Sequence, residues 1–309
     1  MTKEGTAKPF LRWAGDKSRL LPEIRKQYPK TIKRYVEPFI GGGAVLFDIL
    51  SSRCPEEVCI NDANKELAHI YSTVRDYPEE LIRRLGKLEE EFLRLDTDRR
   101  KEYYTIRRSR FNELIRVPVL YAGHEMLMEK ASLMVFLNRT CFNGLWRVNK
   151  NGGFNVPVGS YKKPVICDGG NIRRVSLALQ GVSITGTSYE EMEHVIGKDT
   201  FIYLDPPYRP ITRTSFTSYH TEAFDDESQI HLREFAGRMA EKGAMVLISN
   251  SDPKNTDPED DFFDTLYYGW NIRRVRIPRL IGAKKESGGG KLRSCSFQIF
   301  KPVAICPLF

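Results

Sequence analysis

The sequence predicts an α/β fold with a Rossmann-like, doubly wound parallel sheet. Short β-branched or aromatic runs alternate with helix-like stretches over much of the 309-residue chain, as is typical of parallel sheets with helices on both faces. One interval between two such runs is too long for a crossover helix and indicates an inserted, mainly helical domain. Two strand-like runs near the end of the sequence indicate an antiparallel C-terminal hairpin.

Five runs are predicted as parallel strands because they are rich in β-branched and aromatic residues and end in small or acidic ones. They cover residues 35–39, 58–60, 182–185, 201–204 and 244–248. The clearest helix is 79–95, where leucines recur on one face and charged residues occupy the other. The alternation of strands and helices therefore carries the prediction of fold class.

The interval 69–170 is rich in Arg, Tyr, Asn and Gly and predicts a second domain. The chain would then divide into one domain of residues 1–68 with 171–309, and another of 69–170. After the fifth strand comes an acidic, proline-containing loop, 252–261, that we expect to be solvated. The runs 272–277 and 296–301 lie on either side of a glycine-rich linker at 288–290 and predict the closing hairpin.

Charge indicates an anionic polymer as partner. Lys and Arg number 48 against 40 Asp and Glu, for a formal net charge of +8. Any one of the basic clusters, taken alone, is more typical of a solvated helix face.

No motif indicates a metal site, a disulfide scaffold or a membrane segment. The six cysteines are far apart without a Cys-x-x-Cys pair, and the five histidines have no ligand spacing. No apolar h-region follows Met1, and no stretch approaches the roughly 18 apolar residues of a membrane span. The expected location is the cytoplasm.

A glycine-rich turn follows the first predicted strand. Gly41, Gly42 and Gly43 allow close approach of a ligand to the backbone, and residues 44–47 can begin a helix. Asp62 ends the next strand ~20 residues further on, where an acid can bind a ribose hydroxyl. The segment lacks the phosphate-loop pattern, so an adenosine-containing cofactor fits better than a nucleotide triphosphate. By itself, the turn is equally compatible with a structural role.

The tetrad Asp205-Pro206-Pro207-Tyr208 ends the fourth predicted strand. Two successive prolines fix the backbone and remove two amide donors, which leaves a carboxylate and carbonyls as acceptors at the strand end. Such acceptors can bind both hydrogens of an aromatic amine and direct its lone pair, while Tyr208 offers a stacking face for a base. The alternative is a rigid bend without chemistry.

The order of these motifs resembles that of the Dam-type (α-group) DNA adenine-N6 methyltransferases. The resemblance extends over residues 10–302, and its motifs are 10–17, 36–39, 60–64, 138–150, 154–157, 161–164, 188–189 and 205–208. It implies S-adenosyl-L-methionine as cofactor, S-adenosyl-L-homocysteine as product, and the methyltransferase version of the doubly wound sheet. It also implies that Asp205, Pro206, Pro207 and Tyr208 form the active site.

The resemblance assigns cofactor contacts on both sides of the glycine turn. The residues are Trp13, Ala14, Lys17, Glu37, Pro38, Phe39, Gly41, Gly43, Asp62, Ala63, Ser188, Tyr189 and Asp205. Asp16 departs from the family, which commonly has Gly there.

The resemblance also assigns DNA recognition to the inserted domain and to Arg12. The residues implied in DNA binding are Arg12, Arg139, Phe142, Asn143, Gly144, Leu145, Arg147, Asn155, Pro157, Tyr161 and Lys162. Phe142 would enter the duplex beside an extruded adenine, and Arg147 would read a guanine edge. The implied partner is double-stranded DNA with GATC as its site. The protein is expected to be a monomer in solution. Phe142 stands where relatives usually have Tyr, and Trp146 stands where smaller residues are common.

The predicted reaction is methylation of adenine N6 by base flipping and direct in-line transfer, without an enzyme nucleophile. Cytosine methylation at carbon is disfavoured because the chain lacks a Pro-Cys pair. Enzymes for the cytosine amino group more typically have Ser before Pro-Pro-Tyr, and RNA or glutamine methyltransferases have Asn there. Cytosine-N4 methylation and a non-catalytic DNA-binding module with a vestigial fold remain the alternatives.

Overall fold

A mostly parallel sheet of seven strands forms the centre of the computed structural model, which describes residues 5–209, 224–277 and 294–300. The strands are β1 (Arg34–Glu37), β2 (Glu57–Asn61), β3 (Ser183–Thr185), β4 (Thr200–Leu204), β5 (Met245–Ser251), β6 (Asn271–Ile277) and β7 (Ser294–Phe300). Their order is β3-β2-β1-β4-β5-β7-β6. The pairs among β1 to β5 are all parallel, so the predicted α/β class with a parallel central sheet is confirmed.

The strand order reverses beside β1. The chain builds outward from β1 through β2 to β3 and then returns to place β4 on the other side of β1, with Val36 opposite Ile202. The crevice at such a switch point, outside the carboxyl ends of the strands, is where open α/β sheets bind ligands. Glu37 at the end of β1 and Asp205 just after β4 are thereby brought to the same edge.

Helices cover the sheet and fill the interval between β2 and β3. They are α1 (Leu21–Ile24), α2 (Ala44–Ser52), α3 (Lys65–Asp76), α4 (Pro78–Leu93), α5 (Thr97–Leu114), α6 (His124–Thr140), α7 (Gly169–Ala178), α8 (Asp226–Glu241) and α9 (Phe262–Leu266). Helix α4 corresponds to the predicted helix 79–95, and Leu81, Leu85, Leu88 and Phe92 are its buried residues. Pro78 occupies the first turn, where its missing N–H costs no hydrogen bond.

Strand β5 continues past its predicted end at residue 248 because the polar residues that follow are paired inside the core. Ser249 accepts a hydrogen bond from the Tyr203 hydroxyl at 2.9 Å, and Asn250 donates to Gln229 at 3.1 Å. Buried polar side chains with partners do not interrupt a strand. Hydrophobic patterning could not detect this extension.

The inserted interval shares its hydrophobic core with the sheet. One cluster of buried residues includes Tyr35 and Ile60 from the strands together with Tyr104, Phe136 and Trp146 from the insertion. The predicted division at residue 69 falls inside α3, and the one at residue 170 falls in the first turn of α7. The division into two domains stays a prediction.

Near the C-terminal end, β6 pairs antiparallel with β7, and β7 pairs antiparallel with β5. The glycines at 288–290 lie outside the described residues.

The expectation that the acidic loop 252–261 is solvated is wrong for part of it. Asp252 is buried and accepts a hydrogen bond from Arg274 Nε at 2.9 Å, and Asp260 pairs with Arg209. Basic partners outside the loop neutralise these carboxylates.

Within the described part of the chain, no helix combines the length and apolar character needed to cross a membrane. Nor do the described residues contain a group of three or more His, Cys, Asp or Glu side chains that could hold a metal ion.

Candidate active site

A cavity of about 810 Å³ lies at the carboxyl edge of β1, β2 and β4. Its wall includes every residue that the resemblance assigns to the cofactor, together with the whole Asp205 to Tyr208 tetrad. Trp146, Phe224 and His231 line it as well, although the sequence did not single them out as site residues. The residues implied in DNA binding lie outside this lining, on the insertion and the N-terminal segment.

Lys17, Asp205 and Tyr208 form a compact group that we call the Asp205 cluster. Lys17 Nζ donates to Asp205 Oδ2 at 2.5 Å, to the Tyr208 hydroxyl at 2.8 Å and to the Gly15 carbonyl at 2.7 Å. These three acceptors saturate the ammonium group. Asp205 Oδ1 is buried and has no hydrogen-bond partner among the residues that the structure describes. One carboxylate oxygen of the cluster is therefore unpaired among the described residues.

Burial and pairing act in opposite directions in this cluster. Burial raises the pKa of Asp205 above its usual value, although Lys17 lowers it. Burial also lowers the pKa of Lys17, but the attraction of Asp205 and Tyr208 outweighs it and leaves that pKa above its usual value. Lys17 is thus firmly protonated and stabilises the ionised form of Asp205.

The tetrad backbone is fixed from behind by two buried amides. Gln229 on α8 donates from Nε2 to the Pro207 carbonyl at 3.2 Å, and its Oε1 accepts from Asn250 on β5 at 3.1 Å. Both side chains are fully buried. No hydrogen bond to the Pro206 carbonyl occurs among the described residues. Sequence reasoning missed Gln229 and Asn250 because no local motif marks them.

The glycine turn is packed on both sides by aromatic rings. Gly43 has φ 74°, and a Cβ there would lie 2.5 Å from the Tyr71 hydroxyl. A Cβ on Gly41, which has φ 47°, would lie 3.0 Å from the Trp13 ring. Glycine is required at both positions because of the backbone conformation and the close contacts.

Asp62 and Asn61 hold the turn against β3. Asp62 accepts backbone hydrogen bonds from Gly41 at 3.1 Å and Asn64 at 2.9 Å, so its carboxylate is oriented before any ligand binds. The buried side chain of Asn61 donates to the carbonyls of Pro38 and Thr187 and accepts from the Thr187 amide. Asn61 therefore connects two walls of the cavity, a role that its place in the motif 60–64 did not reveal.

Aromatic rings form the far end of the cavity. Phe39 lies 5.3 Å from Tyr189 and 6.2 Å from Phe224, measured between ring centroids. Burial raises the pKa of Tyr189 to about 12, so its hydroxyl stays neutral. Ser188 caps the 3-10 helix that begins at Tyr189 by accepting from the Glu190 amide. This end offers flat apolar surfaces suited to a purine.

A loop of residues 142–147 projects from the end of α6 beside the cavity. Phe142 is 51% exposed, although its amide donates to the Pro157 carbonyl at 2.8 Å. Asn143 and Gly144 both have positive φ, at 55° and 64°. This backbone path turns the Phe142 ring toward solvent. An exposed ring on a fixed backbone is suited to contact a large partner.

Arg147 is presented on the same surface by Asn155. Its Nε donates to Asn155 Oδ1 at 2.7 Å, and a bridge between Val148 and Phe154 joins the two short segments. Trp146, next to Arg147, is instead buried and stacks on Trp13 with ring centroids 5.8 Å apart. The unusual Trp146 therefore connects the insertion to the cavity wall and does not extend the exposed surface.

Arg12 and Tyr161 form the neighbouring part of this surface. The Arg12 guanidinium lies 4.7 Å from the centre of the Tyr161 ring. Arg139 is close enough to Arg12 for the two charges to repel, and burial followed by this repulsion lowers the pKa of Arg139. Pro157 and Lys162 are exposed near the same loops, and Leu145 is half-buried. Arg12 therefore lies against both Tyr161 and the 142–147 loop.

A family model described as "D12 class N6 adenine-specific DNA methyltransferase" matches residues 13–277. This range includes the Asp205 cluster, the glycine turn and the whole insertion.

Curated relatives match over nearly the whole chain. "Type II methyltransferase M.MjaIII" of Methanocaldococcus jannaschii is 41% identical over 285 residues, covering 90% of this chain and 94% of the relative. "Type II methyltransferase M1.LlaDCHI" of Lactococcus lactis subsp. cremoris is 35% identical over 290 residues, covering 91% and 92%. "DNA adenine methylase" of Escherichia coli (strain K12) is 33% identical over 301 residues, covering 96% and 97%.

Proposed function

The chain belongs to the D12 class of N6 adenine-specific DNA methyltransferases, and we propose that it transfers a methyl group from S-adenosylmethionine to adenine N6 within GATC sequences of duplex DNA. The family membership confirms the predicted enzyme class. The donor, the target sequence and the mode of access to the base are the further steps of the proposal.

One observation carries the proposed chemistry: among the described residues, neither Asp205 Oδ1 nor the Pro206 carbonyl has a hydrogen-bond partner. Asp205 Oδ2 is occupied by Lys17, whereas buried Oδ1 has no partner in the described structure. A buried acceptor without a partner is costly unless a ligand satisfies it. An exocyclic amine has two hydrogens, one for Oδ1 and one for the Pro206 carbonyl. Accepting both holds the amine and directs its lone pair into the cavity.

The cavity has the groups that an adenosine-containing methyl donor needs. Asp62 would bind the ribose, Phe39 and Tyr189 would enclose the adenine, and Trp13 with the glycine turn would border the methionine part. When bound, S-adenosylmethionine would supply an electrophilic methyl group: the methyl–sulfur bond would break as the bond to N6 forms, S-adenosylhomocysteine would leave, and the proton lost by the methylated amine would pass to solvent. No side-chain nucleophile is required.

Base flipping is proposed because Lys17 and the Oδ1 atom of Asp205 are buried at the cavity wall. Lys17 is only 5% exposed, so an adenine that stays stacked in a duplex cannot reach the acceptors. Phe142, exposed on the 142–147 loop, would occupy the space that the extruded base leaves, and its ring would replace lost stacking. Tyr208 would stack on the flipped base.

The proposed GATC site rests on the arginines beside the loop. Arg147, oriented by Asn155, leaves guanidinium donors for the acceptor edge of a guanine, and Arg12 would contact the opposite end of the site. Arg139, Asn143, Tyr161 and Lys162 would contact the backbone or flanking bases. A net charge of +8 favours DNA association at low salt.

The test is to incubate unmethylated genomic DNA with the protein and methyl-labelled S-adenosylmethionine and to map the modified base with its flanking sequence. We expect label on adenine N6 within GATC, and saturable binding of the donor in a separate titration. Methylated adenine in another sequence would refute the site assignment alone. Methylated cytosine, or no binding of the donor, would refute the reaction.

A further inference from the structure

Two buried asparagines, Asn138 on α6 and Asn171 on α7, bind the N-terminal segment with the same geometry. Asn171 accepts from the Lys8 amide at 3.1 Å and donates to the Lys8 carbonyl at 2.9 Å. Asn138 accepts from the Arg12 amide at 2.8 Å and donates to the Arg12 carbonyl at 2.7 Å. Each side-chain amide thus pairs with both polar groups of one residue, as a neighbouring β-strand would.

Asn138 makes one contact that has no counterpart at Asn171. Its Nδ2 also donates to the Gly144 carbonyl at 3.3 Å, inside the 142–147 loop. The loop in turn packs directly on Arg12, since a Cβ on Gly144 would lie 2.6 Å from both Cβ and Cδ of Arg12. A single buried amide therefore joins the backbone of Arg12 to the loop that carries Phe142 and Arg147.

From Arg12 the segment continues into the cavity wall. Trp13 stacks on Trp146 and contacts the glycine turn, and Lys17 holds Asp205. The position of Arg12 is therefore determined relative to the loop on one side and to the Asp205 cluster on the other. A shift of this segment would move a DNA contact and a catalytic contact together.

We propose that Asn138 is a positioning residue that sets the spacing between the two DNA-reading elements, Arg12 and the 142–147 loop, and thereby determines sequence selectivity. This inference rests on the proposed function, in which these elements contact opposite ends of the target site. Selective hydrogen bonds to base edges require donors fixed in position. Asn138 provides that fixity without touching DNA.

Asparagine suits this position because its short amide offers both a donor and an acceptor. Aspartate has nearly the same shape but cannot donate, so Asn138→Asp removes the bonds to the Arg12 and Gly144 carbonyls and sets a buried carboxylate against them. Asn171→Asp makes the same change at Lys8, away from the loop. The two variants form a matched pair.

The experiment measures kcat/KM for a duplex with the site that the wild type methylates, and for duplexes changed at one end base pair. For Asn138→Asp we expect KM for the cognate duplex to rise roughly 10- to 100-fold, with a much smaller change in kcat. The ratio of cognate to changed duplex should fall by about tenfold. Asn171→Asp should leave this ratio within about twofold of the wild type.

Several outcomes decide against the inference. Equal losses of kcat/KM on every duplex would leave selectivity unchanged. Asn138 would then have only a structural role, and the proposal would be overturned. If thermal unfolding shows that Asn138→Asp does not fold, Gly144→Ala replaces it, because the new Cβ forces Arg12 away while Asn138 is intact. Wild-type selectivity in Gly144→Ala would overturn the proposal.

Equilibrium binding of the same duplexes separates this inference from the proposed function. Binding does not require methyl transfer, so a wild type that selects a duplex without methylating it would refute the reaction alone. Loss of that binding selectivity in Asn138→Asp would still support the positioning role. Retention of it would refute the role, whatever the reaction is.

Discussion

The Asp205 cluster and the 142–147 loop differ in how the fold holds their side chains. Lys17 is 5% exposed, and its three hydrogen bonds hold Asp205, Tyr208 and the Gly15 carbonyl inside the fold. Phe142 is 51% exposed, and backbone bonds from its neighbours hold the loop while its ring contacts solvent. One region is organised around buried charge and the other around an exposed surface.

The difference corresponds to two physical demands. Orienting an amine requires acceptors that do not reorganise, and burial strengthens them by excluding water. Reading a duplex requires access by a large, charged partner, so the reading groups must be exposed and supported from below. We therefore expect substitutions in the Asp205 cluster to slow methyl transfer, and substitutions in the loop to weaken recognition of the duplex and extrusion of the base.

The largest expected effect comes from Asp205→Asn. The amide nearly preserves shape but replaces one acceptor oxygen by a donor and removes the charge that Lys17 pairs with. We expect transfer to fall by at least roughly 10³-fold, because the amine loses its acceptor. The measurement is incorporation of labelled methyl groups into a duplex under single-turnover conditions.

Duplex affinity and the binding of S-adenosylhomocysteine serve as controls for Asp205→Asn. The loop is intact in this variant, so the affinity for DNA should stay within about threefold of the wild type, because the exposed groups proposed to contact the duplex are unchanged. Near-normal transfer would remove Asp205 from the mechanism. Loss of DNA binding would instead contradict the assignment of chemistry to the Asp205 cluster and of DNA contacts to the loop.

Lys17→Met is expected to have the next largest effect and to depend on pH. Burial raises the pKa of Asp205, and Lys17 opposes that rise. Without Lys17 the pKa moves further up, so the ionised acceptor is lost at a higher pH as the solution is acidified. We expect the acidic limb of kcat/KM to shift to higher pH, with about a 100-fold loss at neutral pH.

Raising the pH should partly restore the Lys17→Met variant, because deprotonation regenerates the acceptor. A uniform loss at every pH would indicate that Lys17 contributes by binding alone. Phe142→Leu, measured over the same pH range, should keep the wild-type profile since it leaves the Asp205 cluster unchanged.

Phe142→Leu should have the smallest effect, and the effect should depend on the DNA. We expect about a tenfold loss of kcat/KM on a fully paired duplex, since leucine replaces less of the lost stacking. A duplex with an abasic position opposite the target adenine should recover most of the loss, because its adenine is extruded at lower cost. Phe142→Tyr keeps the ring and should behave like the wild type.

An equal loss on paired and abasic duplexes would mean that Phe142 does not assist extrusion. The stability of the Phe142→Leu variant offers a second check, on the exposure of the side chain. Because the side chain is exposed, Phe142→Leu should change the free energy of unfolding by no more than about 0.5 kcal/mol.

The parallel sheet could be predicted from the sequence because β-branched runs and amphipathic helices are patterns within short stretches of the chain. Such patterns indicate which face of an element is buried. The sequence also located the glycine turn, Asp62 and the tetrad, because each of them requires particular residue types at its positions. All of the predicted cofactor and catalytic residues line one cavity.

Only the tertiary structure identified the supporting residues. Gln229 and Asn250 come from a helix and a strand distant in sequence, and they meet behind Pro207. Asn138 reaches back to Arg12, 126 positions earlier in the chain. A buried amide has no periodicity and no fixed spacing from its partner. The sequence alone therefore determined the elements and the reactive motifs, while packing between distant segments decided which groups are paired and which oxygen of Asp205 has no partner in the described structure.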